Sequence, residues 1–272
     1  MTVPFENDTG NIVRKLARKS LKSEKRRNLM VVIAVALASC LICFSIVMAL
    51  STRQIEKNHV EDTYEAVYTR ITEEDVSTLK GLDDFSRVGE YYMLAVEPAE
   101  QGYNASYIYC DEETMYIARD QMKLLEGRLP QKEDEVVVSR YFLSNYAADA
   151  GIGEKVMLSS ESFHGEYTVT GIMEGYKEKE VNGSSILLSK EALKGWSGYD
   201  PADYRAYVHF KNEQQMDETE LTARSREIAK EYQLEMPIMN LSYMKFYKQP
   251  VNVSMLALVA GIAVLVIIGG YV

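Results

Sequence analysis

Two long apolar blocks without a charged residue stand near the ends of the sequence, at residues 29–50 and 251–272. Each block has 22 residues. As an α-helix it would be about 33 Å long, enough to cross a hydrocarbon core of about 30 Å. The residues between the blocks, 51–250, are polar and numerous enough to fold. The pattern predicts two transmembrane α-helices with one folded domain between them.

Each block has an alternative interpretation. The first could be a cleaved signal peptide with its cleavage site at residues 47–49, but its apolar region would be about twice the usual 7–15 residues. The second could be a buried core helix, but such helices have about 10–14 apolar residues in a row. Membrane helices are therefore favoured at both places.

The first part of the domain has the pattern of a strand, a helix and a second strand. Residues 64–71 alternate between apolar and polar and are a predicted strand, and residues 85–96 are a second predicted strand. Between them, Thr72 is placed to cap a helix, with Asp75 three residues later as the acid of a capping box. This order predicts a β-α-β unit.

The last part of the domain repeats the order. Residues 204–210 and 236–241 are predicted strands, and Asp217 with Glu220 predicts the capped start of the helix between them. The buried stripe of that helix consists of Leu221, Ile228, Ala229 and Tyr232. We expect the two β-α-β units to lie side by side near the membrane.

Residues 98–200, between these units, have short strands separated by turns that contain glycine. The predicted strands are 135–139, 155–159, 166–173 and 185–188, and the predicted helices are 141–150 and 190–193. The predicted fold class is therefore an α+β extracellular domain, with two βαβ-type units plus a strand-rich insertion, between two transmembrane α-helices.

Charge is distributed unevenly and predicts the orientation of the chain. Residues 1–28 carry a net charge of +5, whereas residues 51–250 carry −15. Because short flanks rich in Lys and Arg stay cytoplasmic, we predict a cytoplasmic N-terminus and an extracellular domain at residues 51–250.

The basic segment at residues 11–27 predicts an amphipathic helix on the inner surface of the lipid bilayer. A solvated tail that only sets the orientation is the alternative. The apolar positions of the segment 11–27 are Ile12, Val13, Leu16, Ala17 and Leu21. Its basic residues are Arg14, Lys15, Arg18, Lys19, Lys22, Lys25, Arg26 and Arg27.

The sequence offers no catalytic constellation. It lacks a phosphate-binding P-loop, an H-E-x-x-H motif and a G-x-S-x-G motif, and His59, His164 and His209 are far apart in sequence. Cys110 follows the first block and precedes acidic residues that would raise the pKa of its thiol. We predict no enzymatic activity, no cofactor and no metal.

The only other cysteines, Cys40 and Cys43, lie inside the first block and are expected to act as small apolar side chains. No disulfide can then form within the domain. The absence of disulfides from an exported domain of this size favours a bacterial protein. The acidic clusters 133–135 and 178–180 are predicted to be solvated loops, a cation site being the alternative. The acidic domain also argues against binding to nucleic acid.

Two sets of motifs carry a resemblance to a family. Residues 13–27 run directly into the first block and resemble the opening of FtsX-like ABC transporter permeases of the MacB and LolC type, although Lys19 and Ser20 depart from the usual Arg-Asn. Residues 125–130, 133–139, 151–156 and 167–172 resemble the extracellular core domain of that family. Within them the matching residues are Gly127, Arg128, Pro130, Gly151, Gly153 and Gly171, and Glu154 stands where the family has Asp.

The resemblance implies the permease subunit of an ABC transporter. A separate cytoplasmic ABC ATPase would hydrolyse ATP, and the spans would transmit its motion to the extracellular domain for export or extraction of a substrate. A helix continuous from residue 29 to about residue 60 would supply a stiff link. The resemblance further implies a homo- or pseudo-dimeric permease assembly.

Two other functions have the same predicted topology. One is a two-pass membrane sensor whose domain binds a ligand, and the other is a scaffold that holds a cell-wall enzyme. The second block reaches residue 272 without a basic flank. We therefore expect the sequence to be the N-terminal portion of a longer membrane protein.

Overall fold

A computed structural model describes residues 9–23, 25–60, 63–119, 121–175, 178–248 and 261 of the chain. The chain has two compact parts. The terminal part combines Met1–Ile55 with Pro250–Val272, and the central domain is Glu56–Gln249. The predicted second span, 251–272, lies outside the described residues except for Gly261.

Two helices precede the first strand. Helix α1 is Thr9–Ser23 and helix α2 is Lys25–Val60. Within α2, Val35–Thr52 has a mean hydropathy of 2.3 and none of it is buried, so it is long and apolar enough to cross a membrane. It is the one such helix among the described residues.

The central domain alternates short helices with strands. The helices are α3 Glu73–Lys80, α4 Glu112–Ile117, α5 Arg140–Tyr146, α6 Glu178–Val181, α7 Lys190–Gly195, α8 Glu218–Glu231 and α9 Leu241–Tyr243. The strands are β1 Ala66–Ile71, β2 Phe85–Pro98, β3 Asn104–Cys110, β4 Met122–Gly127, β5 Glu135–Ser139, β6 Lys155–Ser159, β7 His164–Gly175, β8 Gly183–Leu188, β9 Tyr204–Phe210 and β10 Ile238–Met239. A 3-10 turn at Glu213–Gln215 and a π-helical turn at Met244–Lys248 complete the described elements.

Both predicted capping boxes are confirmed. The Thr72 backbone N–H donates to the Asp75 carboxylate (2.8 Å), and the Asp75 N–H donates to the Thr72 hydroxyl (3.1 Å). The Asp217 N–H likewise donates to Glu220 (3.0 Å), and the Glu220 N–H donates to Asp217 (2.8 Å). Each box satisfies two backbone donors at a helix start, so α3 and α8 begin where the sequence predicts.

The two β-α-β units are interleaved, and the expected side-by-side arrangement is wrong. The first four strands of the sheet run in the order β10-β1-β9-β2, and each neighbouring pair is antiparallel. Strand β9 therefore lies between the two strands of the first unit, and β1 lies between the two strands of the second. This arrangement is a ferredoxin-like split β-α-β fold.

The closing strand is shorter than predicted. Its extent was expected to be 236–241, but β10 covers only Ile238–Met239. Asn240 ends the strand because its side chain caps α9, accepting a hydrogen bond from the Tyr243 N–H at 3.2 Å. Asparagine at a helix start competes in this way with strand hydrogen bonding.

The insertion continues the same sheet instead of forming a separate one. The first half of β2 pairs with β9, and its second half, from Tyr91 to Pro98, pairs with β3. Beyond β3 the order is β8-β5-β7-β4, with β6 also paired to β7. The described residues thus form one sheet of ten strands. Strands β3 and β4 and helices α4 and α6 were not predicted from the sequence.

Two apolar clusters cover the two faces of this sheet. Successive residues of β9 belong to different clusters: Ala206 and Val208 belong to the larger cluster, and Tyr207 belongs to the smaller. The larger cluster takes buried residues from α3, α5, α7 and α8, and the smaller from α4. Cys110 is buried in the smaller cluster, and this burial, more than the neighbouring Asp111, raises the pKa of its thiol.

Ion pairs connect the insertion to the interleaved strands. The Lys190 ammonium of α7 lies 2.6 Å from Glu90 on β2 and 2.7 Å from Glu73 on α3. Lys194 also contacts Glu73, at 2.9 Å. Glu90 is only 8% exposed, so its pair with Lys190 is shielded from solvent and is weakened less by salt than a surface pair.

We predict that Gly89→Ala destabilises the protein by about 1–3 kcal/mol, because α4 packs directly on this position of β2. A Cβ at Gly89 would lie 2.6 Å from the Thr114 backbone nitrogen. Gly151→Ala is the matched control, since the nearest atom to its Cβ would be 3.8 Å away. Thermal unfolding of the full chain in detergent should show a lower melting temperature for Gly89→Ala alone. Equal melting temperatures for the two variants would contradict the packing argument.

Candidate functional site

The described residues contain no group of three or more His, Cys, Asp or Glu side chains that could hold a metal ion. A cleft of about 430 Å³ lies between Asp111, Arg128, Pro130 and Lys190. These side chains mix both charges. Cys110 also lines the cleft, and its thiol contacts the Met122 sulfur at 3.8 Å. Two other places concentrate buried polar contacts: the cluster of family-like motif residues, and the end of the sheet where the chain enters and leaves the domain.

Gly127 and Gly171 allow two strands to approach closely. They are register partners in the β4–β7 pair. Gly127 has φ +82°, and a Cβ there would lie 2.7 Å from the Gly171 Cα. A Cβ on Gly171 would lie 2.8 Å from the Arg128 carbonyl oxygen. Both positions therefore require glycine.

Gly151 and Gly153 form the turn before β6. The Gly151 N–H donates to the Glu154 carboxylate (2.7 Å), and the Gly153 N–H donates to the Val169 carbonyl (2.8 Å). Glu154, which departs from the family pattern, thus closes the turn with its own side chain. The structure places these glycines in a turn, as the sequence suggested, and brings them to β7 beside Gly171.

Arg128 and Glu135 form a bidentate ion pair in the loop that contains Pro130. Both nitrogen–oxygen distances are 2.8 Å, and the Gln131 N–H also donates to Glu135 at 2.8 Å. The guanidinium of Arg128 holds the pKa of Glu135 down, at about 2. Glu135 is buried in β5, so the expected solvated loop at residues 133–135 is wrong at this position.

The expected solvated loop at residues 178–180 is wrong at Glu178. Its side chain is buried, and the Ser185 N–H donates to its carboxylate at 2.7 Å. Burial raises the pKa of Glu178 despite this hydrogen bond. Both acidic clusters therefore contribute one carboxylate to the interior, where each makes structural hydrogen bonds.

The chain enters the domain at a buried glutamate. Glu65 is fully buried, its Oε1 lies 2.8 Å from His209 Nδ1, and its Oε2 accepts a hydrogen bond from the Phe210 N–H at 2.7 Å. The Glu65 N–H also donates to the Val208 carbonyl at 3.0 Å. Side chain and backbone together fix the start of β1 to the end of β9.

The chain leaves the domain at the same place. The Asn240 side-chain amide donates to the Tyr64 carbonyl at 2.9 Å, and the Asn240 N–H donates to the Glu65 carbonyl at 2.8 Å. Tyr243, one turn later, is buried. We call this set, Glu65, His209 and Asn240, the base junction. It joins the incoming and outgoing segments at one end of the sheet.

Burial and mutual contact shift the pKa values of both Glu65 and His209 in the base junction. Burial alone would lower the pKa of His209, but the hydrogen bond and charge of Glu65, with a smaller contribution from Glu213, raise it. Burial raises the pKa of Glu65 and exceeds the opposing effects of His209 and Phe210. A charged histidine beside a buried carboxylate compensates part of the cost of burying that carboxylate.

The base junction was not predicted from the sequence, because His209 is far in sequence from Glu65 and from the other histidines. Of the other histidines, His59 lies on α2 and His164 lies exposed on β7. The available signal was Glu65 itself, a carboxylate next to a strand whose remaining positions are mostly apolar. A charged residue there requires a partner when the strand is buried.

The predicted basic residues lie on the first two helices. Arg14, Lys15, Arg18 and Lys19 are exposed on α1, Lys25 and Arg26 are exposed on α2, and Lys22 and Arg27 lie within α1 and α2. The apolar Ile12, Val13 and Leu16 are exposed on α1 as well. Their contact with a membrane stays a prediction.

Comparison with known proteins identifies the family. The family model of the MacB-like periplasmic core domain matches residues 29–226. The chain belongs to this family. The resemblance to FtsX-like ABC transporter permeases of the MacB type is thereby confirmed. Residues 127–171, which hold the predicted glycines and Arg128, lie inside the matched range of this MacB-like chain.

Two solved structures are similar to this chain. The extracellular domain of the noncanonic ABC-type transporter YknZ from Gram-positive bacteria is 15% identical, with 65% of this chain and 100% of that chain covered and a TM-score of 0.46. The periplasmic region of MacB from Actinobacillus actinomycetemcomitans is 11% identical, with coverages of 68% and 92% and a TM-score of 0.46. A search of curated proteins gives no match.

We predict that the stabilisation supplied by Arg128 disappears in acid. Because the pKa of Glu135 is held at about 2 against an ordinary value of 4.5, the pair stabilises the fold above pH 4.5 and loses its effect as the pH falls to about 2. The melting temperature of Arg128→Gln should lie below wild type at neutral pH, and the two should converge between pH 4.5 and 2. A difference that stays constant over this range would contradict the assignment. Lys155→Gln, which removes an exposed pair with Glu166, is the control and should change little.

We predict the opposite pH dependence for His209→Gln. Since the pKa of His209 is raised above its ordinary value of 6.5, its charge stabilises the fold below pH 6.5 and this effect is lost as the pH rises through the raised pKa. The melting temperatures of wild type and variant should therefore differ most below pH 6.5 and converge at higher pH. His164→Gln, at an exposed histidine, should match wild type throughout. Divergence with rising pH would show that His209 is neutral in the fold.

Proposed function

We propose that this chain is the membrane-spanning subunit of an ABC transporter. A separate cytoplasmic ABC ATPase binds and hydrolyses ATP, and the resulting motion moves the extracellular domain for export or extraction of a substrate. Membership of the MacB-like family supports the permease class. The chain itself contributes no ATP-binding motif, so the hydrolysis is assigned to the partner.

The proposed topology has four segments. Residues 1–28 are cytoplasmic, residues 29–50 cross the membrane, residues 51–250 are extracellular and residues 251–272 cross back. The positive charge of the first segment and the negative charge of the third support this orientation. The base junction supports two crossings, because the segments that enter and leave the domain are hydrogen-bonded to each other at one end of the sheet.

The base junction is the observation that carries the proposed coupling. Helix α2 is one element from Lys25 to Val60, and Glu65 follows it within five residues. A displacement of the incoming segment acts on β9 through His209 and on the outgoing segment through Asn240. Removing one partner of a buried ion pair costs about 3–5 kcal/mol, so the junction resists opening when it is loaded. We further propose that two permease chains, identical or related, assemble around the transport path.

We predict that Ile55→Pro uncouples ATP hydrolysis from the domain. Ile55 is exposed on α2 beyond its most apolar stretch, and proline inside a helix removes a hydrogen bond and costs about 3 kcal/mol or more. The complete permease should still co-purify with its ATPase and hydrolyse ATP at the basal rate. It should lose the stimulation of ATPase activity by its substrate and lose transport. Ile55→Ala, which keeps the helix, should retain both.

Two results would contradict the proposal. If the complete protein co-purifies with no ATPase, the permease function is wrong, and a sensor or a scaffold with the same topology takes its place. If Ile55→Pro transports substrate as well as Ile55→Ala does, α2 does not carry the motion. Candidate peptides, amphiphiles and lipoproteins are tested as stimulators of ATPase activity in lipid nanodiscs.

A further inference from the structure

An exposed apolar patch lies on the segment that leaves the sheet. We call it the exit patch and define it by three side chains, Met236, Ile238 and Leu241, which are 56%, 61% and 78% exposed. Ile238 is the register partner of Val67 on β1. The patch therefore borders the smaller apolar cluster at the edge strand of the sheet, and no other strand of the described residues lies beyond β10.

The exit patch is held outward by its buried neighbours. Asn240 is fixed by hydrogen bonds to Tyr64 and Glu65, and Tyr243 is buried. Leu241 lies along the chain between these two anchored residues and is 78% exposed. Exposed apolar side chains that cluster in this way are typical of a contact surface.

The charge of the segment is reversed relative to the rest of the domain. Residues 236–244 carry no charge, and the next four residues are Lys245, Phe246, Tyr247 and Lys248, whereas residues 51–250 as a whole carry −15. Tyrosine, present here as Tyr247, is enriched at both membrane–water interfaces. Lysine also places its ammonium near lipid headgroups while its alkyl stem lies along apolar surface.

The distance along the chain brings the exit patch close to the second apolar block. Nine residues lie between Leu241 and residue 251, and seven of them lie in the turns Leu241–Tyr243 and Met244–Lys248. Helical residues advance about 1.5 Å each and extended ones about 3.4 Å, so the connection spans at most about 20 Å. In the proposed topology, the start of that block therefore lies within about 20 Å of Leu241.

We propose that the exit patch inserts into the outer leaflet, at the boundary between lipid headgroups and acyl chains. The contact fixes the height of the domain above the membrane and adds a second attachment to lipid beside the spans. This inference rests on the two-span topology of the proposed function. Strand pairing with a second copy of the chain is disfavoured, because β10 offers only two residues to a partner strand.

Quenching of tryptophan fluorescence by brominated lipid tests this contact. The full chain is reconstituted in vesicles of phosphatidylcholine and phosphatidylglycerol, with and without phosphatidylcholine brominated on the upper acyl chain. Leu241→Trp and Ile238→Trp are compared with Val96→Trp, a control of similar exposure, 60%, on the part of β2 that pairs with β3. Trp196, the only tryptophan of the wild-type chain, contributes the same background to every sample.

Brominated lipid should quench the added fluorescence of Leu241→Trp and Ile238→Trp at least twofold more than that of Val96→Trp. Equal quenching at the three positions would overturn the lipid contact. If Leu241→Cys then gives a disulfide-linked dimer that wild type lacks, the exit patch is a contact between copies.

Phe44→Trp, in the most apolar stretch of α2, reports membrane insertion. If brominated lipid does not quench the added fluorescence of Phe44→Trp, the proposed topology is wrong, and the lipid contact of the exit patch is then wrong as well. Quenching at Phe44→Trp but not at Leu241→Trp overturns the patch inference alone.

Discussion

The buried carboxylate of Glu65 sets the arrangement of the central domain. A fully buried carboxylate is costly unless it is paired and hydrogen-bonded, and Glu65 satisfies this condition only where His209 and the Phe210 N–H face it. These groups lie at the end of β9, so β1 must pair with β9 in one register. The interleaved order β10-β1-β9-β2 follows, since Asn240 fixes β10 to the free edge of β1 through Glu65 and Tyr64.

What could be predicted from the sequence was local. The boxes at Thr72 and Asp217 involve residues three positions apart, and strands 135–139, 155–159 and 204–210 have the observed bounds because apolar runs and turn residues mark both ends. The interleaving depends on contacts between residues about 140 positions apart, for which one sequence has no signal. Strand β3 shows no alternation of apolar and polar positions because apolar side chains lie on both of its faces: Tyr107 belongs to the larger cluster, and Ile108 and Cys110 belong to the smaller.

The motif residues also make contacts that could not be predicted from the sequence. Sequence resemblance identified Gly127, Arg128 and Gly171 as a group, and the structure gives each a physical reason: close approach of β4 to β7 for the glycines, and a bidentate partner for Arg128. Glu135 was assigned to a solvated loop because its neighbours are charged. Its burial is decided by Arg128, seven residues earlier, and by backbone donors of the intervening loop, which composition does not reveal.

The proposed coupling requires a domain that does not deform between the base junction and the insertion. Strand β2 meets this requirement, because its first half pairs with β9 beside the base junction and its second half pairs with β3 in the insertion. Lys190 adds a lateral connection through Glu73 and Glu90. One continuous sheet therefore links the base to the insertion, and bending it would break strand hydrogen bonds and the shielded ion pair together. Motion applied at Glu65 is then expected to move the insertion as part of the same body, which a separate domain on a flexible linker would not do.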